Sequence, residues 1–512
     1  MLKQLRFLPV FFAVAIALQY AGGAYGTELS GYPDEAAHFV TGVMVRDYLS
    51  TFPPAPIVPF LKEFYIHYPR VAIGHWPPVL YLIEGVWFLL FHPSRISVLL
   101  LMALISAASA TTVHHIVAKG YGVWPGALGG LFFLLLPITQ TLTQEVMSDV
   151  LVGLFGLWAV LAFARFLESQ RWSDANWFAL WAILAIFTKN SGLYLALLPP
   201  LALLFSGRLR LLRSVKFWWP ALLVGVPVAA WLAVSARFVF STWSEPLTVS
   251  FVGRALLTNA KFLFSIFGIA FAILICAGLF RKILQPAWSA LAAAAVGVYL
   301  FQSAIPAGLE PRFLAPAVPL LIPFVFAGAH WSRWPRLALT GAATLFAIQT
   351  FTIPQKPHRG FSEAADLILP RLPSKDAGIL VSSESDGEGL LISEIAMRQP
   401  HPQAFVLRAS KMLSRADWLA RDYQARFQTD AEVMDYLESL PVDFLVIDQQ
   451  SGQQPLLHHR QLLEIVQQNP DHWHAAGSAA EVRIYERLGP PGRPSENIHR
   501  EMERIIDRTL NH

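Results

Sequence analysis

Charge is what this 512-residue chain has least of: Asp, Glu, Lys and Arg make up 14% of it, against about a quarter of a typical soluble domain. That scarcity, with 54% hydrophobic residues and a mean hydropathy of +0.46, excludes an ordinary soluble fold for most of the chain. Cysteine is nearly absent. The single Cys276 lies inside an apolar run, so no intrachain disulfide is available and cysteine usage carries no sign of compartment. There is no glycine-rich phosphate loop, no metal-spaced Cys/His cluster and no internal repeat of fixed period, which removes the usual sequence signs of nucleotide binding, zinc modules and solenoids. The net charge of +4 does not mark a nucleic-acid surface, because Lys and Arg fall in short loops between apolar runs rather than in one patch.

What the chain does have is long apolar runs. A helix needs roughly 20 mainly apolar residues to cross a bilayer, and about eleven runs meet that expectation, centred near residues 15, 107, 131, 158, 182, 199, 230, 270, 295, 321 and 345. A further run, Val79 to Phe91, is short, follows Pro77-Pro78 and carries Glu84, so it is expected to lie along the outer surface. With that run outside the count and the N-terminus inside, every inner loop receives basic residues: Lys3 and Arg6, Lys119, Arg165 and Arg171, the cluster Arg208 to Lys216, Arg281 and Lys282, then Arg333 and Arg336. The odd count puts the long first loop (26–94), the loops 138–149, 241–261 and 304–312, the turn at Lys189 and the C-terminal segment outside. The first run, ahead of Ala21-Gly22-Gly23-Ala24, reads as an uncleaved helix rather than a signal peptide, because it would tether the acidic motif that follows at the membrane surface.

From about Pro354 the composition becomes that of a soluble domain. Strand-like runs at Ile379 to Ser382, Ala404 to Leu407, Asp443 to Ile447 and Val482 to Tyr485 alternate with helix-like stretches near 387–398, 430–440 and 458–468. The expected organisation is a polytopic α-helical membrane domain over 1–353, with outer juxtamembrane helices, and a soluble extracytoplasmic α/β domain over 354–512. The chain is expected in an inner or plasma membrane.

The polar residues expected on the outer side fall into short motifs. Tyr32-Pro33-Asp34-Glu35 opens a helix-like run in which Asp34 and His38 share a face. The plain reading is that the two acids cap a helix and complement its dipole; the functional one is a base held at the membrane surface. Then come Ile73-Gly74-His75-Trp76-Pro77-Pro78, Gln144-Glu145 with Ser148-Asp149, Thr188-Lys189-Asn190 and Glu310-Pro311-Arg312-Phe313. Any one of these is accounted for as a solvated helix end or interfacial anchor. Five on one side suit a shared chemistry, displacement at a sugar carbon bonded to phosphate: a carboxylate accepts the proton of the incoming nucleophile, and Lys, Arg or a carboxylate-held divalent ion neutralises the departing phosphate.

The order of Asp34-Glu35 in a long first loop, Gly74-His75-Trp76-Pro77-Pro78, Asp149 at the head of a run, Thr188-Lys189 and the Arg-Phe-x-x-Pro-x-x-Pro stretch Arg312 to Pro319 resembles the C-type integral-membrane glycosyltransferases. It is similar in particular to protein O-mannosyltransferases and lipid A aminoarabinose transferases, over about residues 1–355. The resemblance implies a polyprenyl-phosphate-sugar donor, a lipid, glycan or protein acceptor, a nucleotide-free reaction with inversion, Asp34 as catalytic base beside Glu35, and Lys189 and Arg312 near the donor phosphate. It also implies Asp149 as a ligand of a divalent ion. The sequence departs from the pattern where His75-Trp76 replaces an acidic-basic pair, and the loop 241–261 offers Glu245 but no histidine to a metal. His75 is thus open as a metal ligand, a donor contact or a packing residue, with His38, His67, Glu145 and Glu310 as further substrate-binding candidates and Glu84 behind them. Two other classes stay open: a transporter or lipid flippase, which would place its charges near the bilayer midplane on repeated broken helices, and a non-catalytic glycolipid-binding scaffold.

Overall fold

Proline does much to decide where the helices of this chain begin. It occupies the first or second position of six α-helices among the described residues, at Pro9, Pro137, Pro199, Pro286, Pro319 and Pro335, where its missing N–H costs nothing and its fixed φ suits the helix. The computed structural model describes residues 5–511 except 72–73, 242, 374–375, 384, 416–421, 450–455 and 490–495; Lys3 and Ile73 of the segments read above lie outside the described residues.

The helices through residue 349 are, in chain order, α1 (Leu8–Ala21), α2 (Glu35–Ser50), α3 (Ile57–His67), α4 (Val79–Leu90), α5 (Arg95–Tyr121), α6 (Val123–Leu135), α7 (Pro137–Thr143), α8 (Ser148–Ser169), α9 (Trp172–Ile186), α10 (Leu198–Ser206), α11 (Val215–Ser241), α12 (Val249–Lys282), α13 (Pro286–Ala304), α14 (Val318–Ala329) and α15 (Pro335–Gln349). The expectation of about eleven spans is corrected by these lengths. Among the described residues six helices are long and apolar enough to cross a membrane: α5, α8, α11, α12, α13, and Pro311–Ala329, which contains α14. A seventh span results if α6 and α7, bent by 67° at Pro137, count as one. The runs near 15, 182, 199 and 345 fall short. Hydropathy averages over a window, whereas a helix ends wherever the backbone breaks, and 15 residues at 1.5 Å each reach about 22 Å of a roughly 30 Å hydrocarbon core.

The chain forms two compact units, Met1–Gly22 with Ile73–Leu80 and Leu99–Gln355, and Gly23–Ala72 with Tyr81–Val98 and Lys356–His512. In the first, α8 is buried along its length and packs against α9 and α13. There α12 and α14 approach so closely at Gly278 and Gly328 that a Cβ on either would overlap the opposite backbone. This close approach is how small residues let helices pack where lipid offers no hydrophobic drive.

The second unit is built on a sheet. After α16 (Phe361–Ile368) come β1 (Gly378–Ser382), α17 (Ser385–Arg398), β2 (Phe405–Arg408), α18 (Ala409–Met412), β3 (Ser414–Arg415), β4 (Gln424–Ala425), α19 (Asp430–Glu438), β5 (Val442–Asp448), α20 (Leu457–Gln468), β6 (Trp473–Ala479), β7 (Val482–Arg487) and α21 (Glu496–Asn511). Among the described residues seven strands, rather than the four runs expected, make this region richer in β-structure than its sequence suggested. Five of them form a sheet in the order β2-β1-β5-β7-β6, in which β1 runs parallel to β2 and β5 while β7 is antiparallel to β5 and β6. Strand β1 is buried throughout, as expected of a strand covered on both faces. Ile498, Met502 and Ile505 on α21 are buried at helical spacing in the same core as Phe405, Leu445 and Ile447. The segment before α2 joins this unit through Glu28, whose buried carboxylate accepts from the backbone N–H groups of Arg359 (3.0 Å), Gly360 (2.6 Å) and Ser362 (3.3 Å) at the start of α16. Burial pushes the Glu28 carboxyl up, but those amides and His358 outweigh it and hold it below the usual carboxylate range.

Candidate functional site

In the second unit the Asp-Glu pair divides. Asp34 sits at the N-cap of α2, half-buried, and its side chain makes no capping hydrogen bond. Glu35, one residue on, is completely buried; Oε1 lies 2.6 Å from Lys356 Nζ and Oε2 accepts from the Gly31 N–H at 2.8 Å. Lys356 is itself 8% exposed, so this is a desolvated pair whose two charges compensate each other. One turn along α2, His38 is buried with Nδ1 2.8 Å from the Tyr81 hydroxyl, the two rings stacked at 5.7 Å.

Arg70, which sequence reasoning missed, belongs to the same neighbourhood. Its guanidinium donates to the Pro33 carbonyl, and its charge is felt by Asp34. Burial and the nearby Arg408 draw Arg70 down to about 10, against which Asp34, Glu388 and Asp386 pull upward, so it is still a cation at neutral pH. The signal that could have found it is the rarity of charge in the first loop: an Arg directly after Tyr68-Pro69 and before a glycine-aromatic-proline motif. Glu84 on α4 is fully buried, and neither of its carboxylate oxygens has a hydrogen-bond partner among the described residues. It packs against α2 at Gly42, where a Cβ would meet its Oε2 at 2.6 Å.

In the first unit Lys189 and Arg312, each with its carboxylate partner, meet at Phe313. Asp149, in the first turn of α8 and 2% exposed, takes the Lys189 ammonium at 2.7 Å from each of its two oxygens. Lys189 is placed there by the break that ends α9, and its Nζ lies 5.5 Å from the centre of the Phe313 ring. Arg312, 8% exposed, has its guanidinium carbon 5.1 Å from the same ring and its Nε 2.7 Å from Glu310 Oε2. Two cations thus share one aromatic ring, a contact each can make without losing its charge. Glu145 is buried in the turn between α7 and α8, and His75 lies edge-on to Trp76 at 5.0 Å. Glu245 pairs with Arg254. A cavity of about 190 Å³ lined by Ile138, Phe262, Ile266 and Pro311 opens next to Arg312.

A divalent ion fits the donor sets of two groups: Glu63, His67 and His499, and Glu28, His358 and Glu363 each offer three ligand atoms within 4.8 Å of one another. Neither Asp149 nor His75 belongs to a group of three such ligands among the described residues. His67, a substrate candidate in the sequence, lies against β2 with its ring stacked on Phe405 at 4.2 Å.

Residues 75–233 match the family model described as dolichyl-phosphate-mannose-protein mannosyltransferase. No curated protein matches the chain. Among solved structures, ArnT from Cupriavidus metallidurans bound to undecaprenyl phosphate is similar at 14% identity over 96% of this chain and 99% of that one, with a TM-score of 0.59. Its apo form gives 15% identity, 94% and 98% coverage and a TM-score of 0.61. The Archaeoglobus fulgidus oligosaccharyltransferase in its apo form gives 10%, 87% and 69%, with a TM-score of 0.52. The chain therefore has the fold of these solved membrane glycosyltransferases, and its residues 75–233 are similar to the mannosyltransferase model, in keeping with the resemblance its motifs carry.

Proposed function

We propose that the protein transfers a sugar from a polyprenyl-phosphate donor to a lipid, glycan or protein acceptor at the outer face of the membrane, with inversion at the anomeric carbon. The observation that carries this reading is the end-to-end likeness to ArnT, 96% of this chain on 99% of that one, in a relative captured with undecaprenyl phosphate. A likeness confined to the bundle would speak for a shared scaffold; one that includes the sheet-bearing segment speaks for a shared task.

In the proposed reaction Asp34 accepts the proton of the incoming hydroxyl or amine as it attacks the anomeric carbon, and the bond from that carbon to the phosphate oxygen breaks with its electron pair leaving on the polyprenyl phosphate. Glu35 is already committed to Lys356, which leaves Asp34 as the member of the pair for proton transfer. Lys189 and Arg312 hold the phosphate, Arg as a fork and Lys as a point charge. The cavity beside Pro311, with Ile138, Phe262 and Ile266 in its wall beside Thr141 and Ser265, suits the first isoprene units of the lipid. On this reading the first loop and the C-terminal segment are extracytoplasmic.

The test is a mass-spectrometric transfer assay with the full-length protein in lipid, a panel of polyprenyl-phosphate sugars and a membrane extract as acceptor, run beside Asp34→Asn. Transfer by the wild type alone supports the reading. Movement of labelled lipid across vesicles with no new glycosidic bond would replace it with transport.

A further inference from the structure

We infer that Glu63, His67 and His499 form a zinc site that fastens the last helix, α21, to α3 within the second unit. Glu63 and His67 are four residues apart, on one face of the last turn of α3, and His499 reaches them from the first turn of α21. His499 Nε2 is 3.2 Å from Glu63 Oε1, and His67 Nε2 is 3.4 Å from the same oxygen. Two ligand atoms, each about 2.0–2.1 Å from a tetrahedral zinc ion, stand about 3.3 Å apart. Both distances from Glu63 match that spacing, and the three ligand atoms all lie within 4.8 Å of one another.

The orientation of the His67 ring points the same way. Its Nδ1 lies 3.3 Å from the Ala404 carbonyl oxygen, which can only accept, so Nδ1 carries a proton and Nε2 is the nitrogen turned to the Glu63 oxygen. A borderline divalent ion takes imidazole and carboxylate together in such an arrangement. The carbonyl bond and the stacking on Phe405 fix the ring as the outer contacts of a zinc-bound histidine do. Glu63 and His499 are 56% and 36% exposed, which gives the ion a path from solvent and leaves room for a water as fourth ligand. Lys62, which would otherwise compete for Glu63, is paired with Glu503 of α21 at 2.8 Å. The inference does not depend on sugar transfer.

The experiment uses chelator-treated full-length protein in detergent, titrated with Zn²⁺ by calorimetry and melted with and without the metal, beside His499→Ala and His499→Gln. His358→Ala serves as a control, because the Glu28 group is the other candidate donor set. The expected result is a zinc-dependent rise in melting temperature in the wild type and in His358→Ala, and loss of one equivalent of zinc and of that rise in both His499 variants, with their metal-free melting unchanged. Cobalt in place of zinc should give the visible absorption of a tetrahedral site. A wild type whose melting ignores zinc, or a His499→Gln protein that keeps the full stoichiometry, would overturn the inference; so would binding of Mg²⁺ or Ca²⁺ in preference to Zn²⁺.

Discussion

Lys189 Nζ stands 2.7 Å from both carboxylate oxygens of Asp149, so a single ammonium spans an acid that is 2% exposed at the head of α8. A buried charge left alone costs far more than the pair contributes. Lys189→Ala is therefore expected to destabilise the protein by roughly 3 kcal/mol. Replacing both partners together, with Lys189→Met and Asp149→Leu, should restore most of that loss without restoring sugar transfer. Thermal melts of the single and double variants, set against their transfer rates, check both halves. Full transfer by the double variant would remove Lys189 from the phosphate site.

Asp34→Asn keeps the shape of the side chain and loses its basicity. Turnover is expected to fall by roughly a thousandfold, within the range ascribed to general bases, while melting and donor binding stay as in the wild type. Transfer rates and donor affinity measured on the same preparation separate this outcome from unfolding. An active variant would take Asp34 out of the reaction.

Glu35→Gln should behave in the opposite way. It leaves the buried Lys356 ammonium without its carboxylate, and the expected cost is roughly 3–5 kcal/mol of stability. The measurement is the melting temperature of the second unit, followed by tryptophan fluorescence. A variant that melts normally but does not transfer would assign Glu35 to the chemistry instead.

Arg312→Ala removes a cation proposed to touch the donor phosphate before and during reaction. Donor binding is expected to weaken roughly tenfold to a hundredfold, the worth of a charged hydrogen bond, with turnover reduced as well. Lysine at this position should rescue only part of the binding, because it lacks the fork. Unchanged affinity for the donor would leave Arg312 as a packing partner of Phe313.

Asp47 provides a pH prediction. Burial pushes its carboxyl up to about 6, although Arg46 and His401 pull it down. A carboxyl raised above its unfolded value near 4 binds its proton more tightly in the folded protein, so its contribution is fully present below about pH 4 and is lost as pH rises through 6. Asp47→Asn, which cannot ionise, should gain on the wild type by about 2 kcal/mol between pH 4 and pH 7. Melting curves at pH 4.5 and 7.5 test the sign. A gap between the two proteins that does not change with pH would show that Asp47 titrates as an exposed acid.

The sequence by itself determined that this is a membrane protein with short polar motifs between its apolar runs and a separate sheet-forming segment. Apolar runs, rare charge and short basic loops are local properties, and the bilayer imposes them residue by residue. It also singled out Asp34, Asp149, Lys189 and Arg312, because an ionisable residue in so apolar a chain needs a reason to be there. The number of spans was decided by tertiary structure. Breaks before Pro137, after Ile186 and between Ala329 and Pro335 end helices that hydropathy alone would prolong. The partners were decided there too. Glu35 meets Lys356 across 321 residues of chain, and His67 meets His499 only because α21 folds back along α3. Neither pair leaves a mark in sequence spacing, since what sets a buried charge beside its counter-ion is the packing of the whole unit.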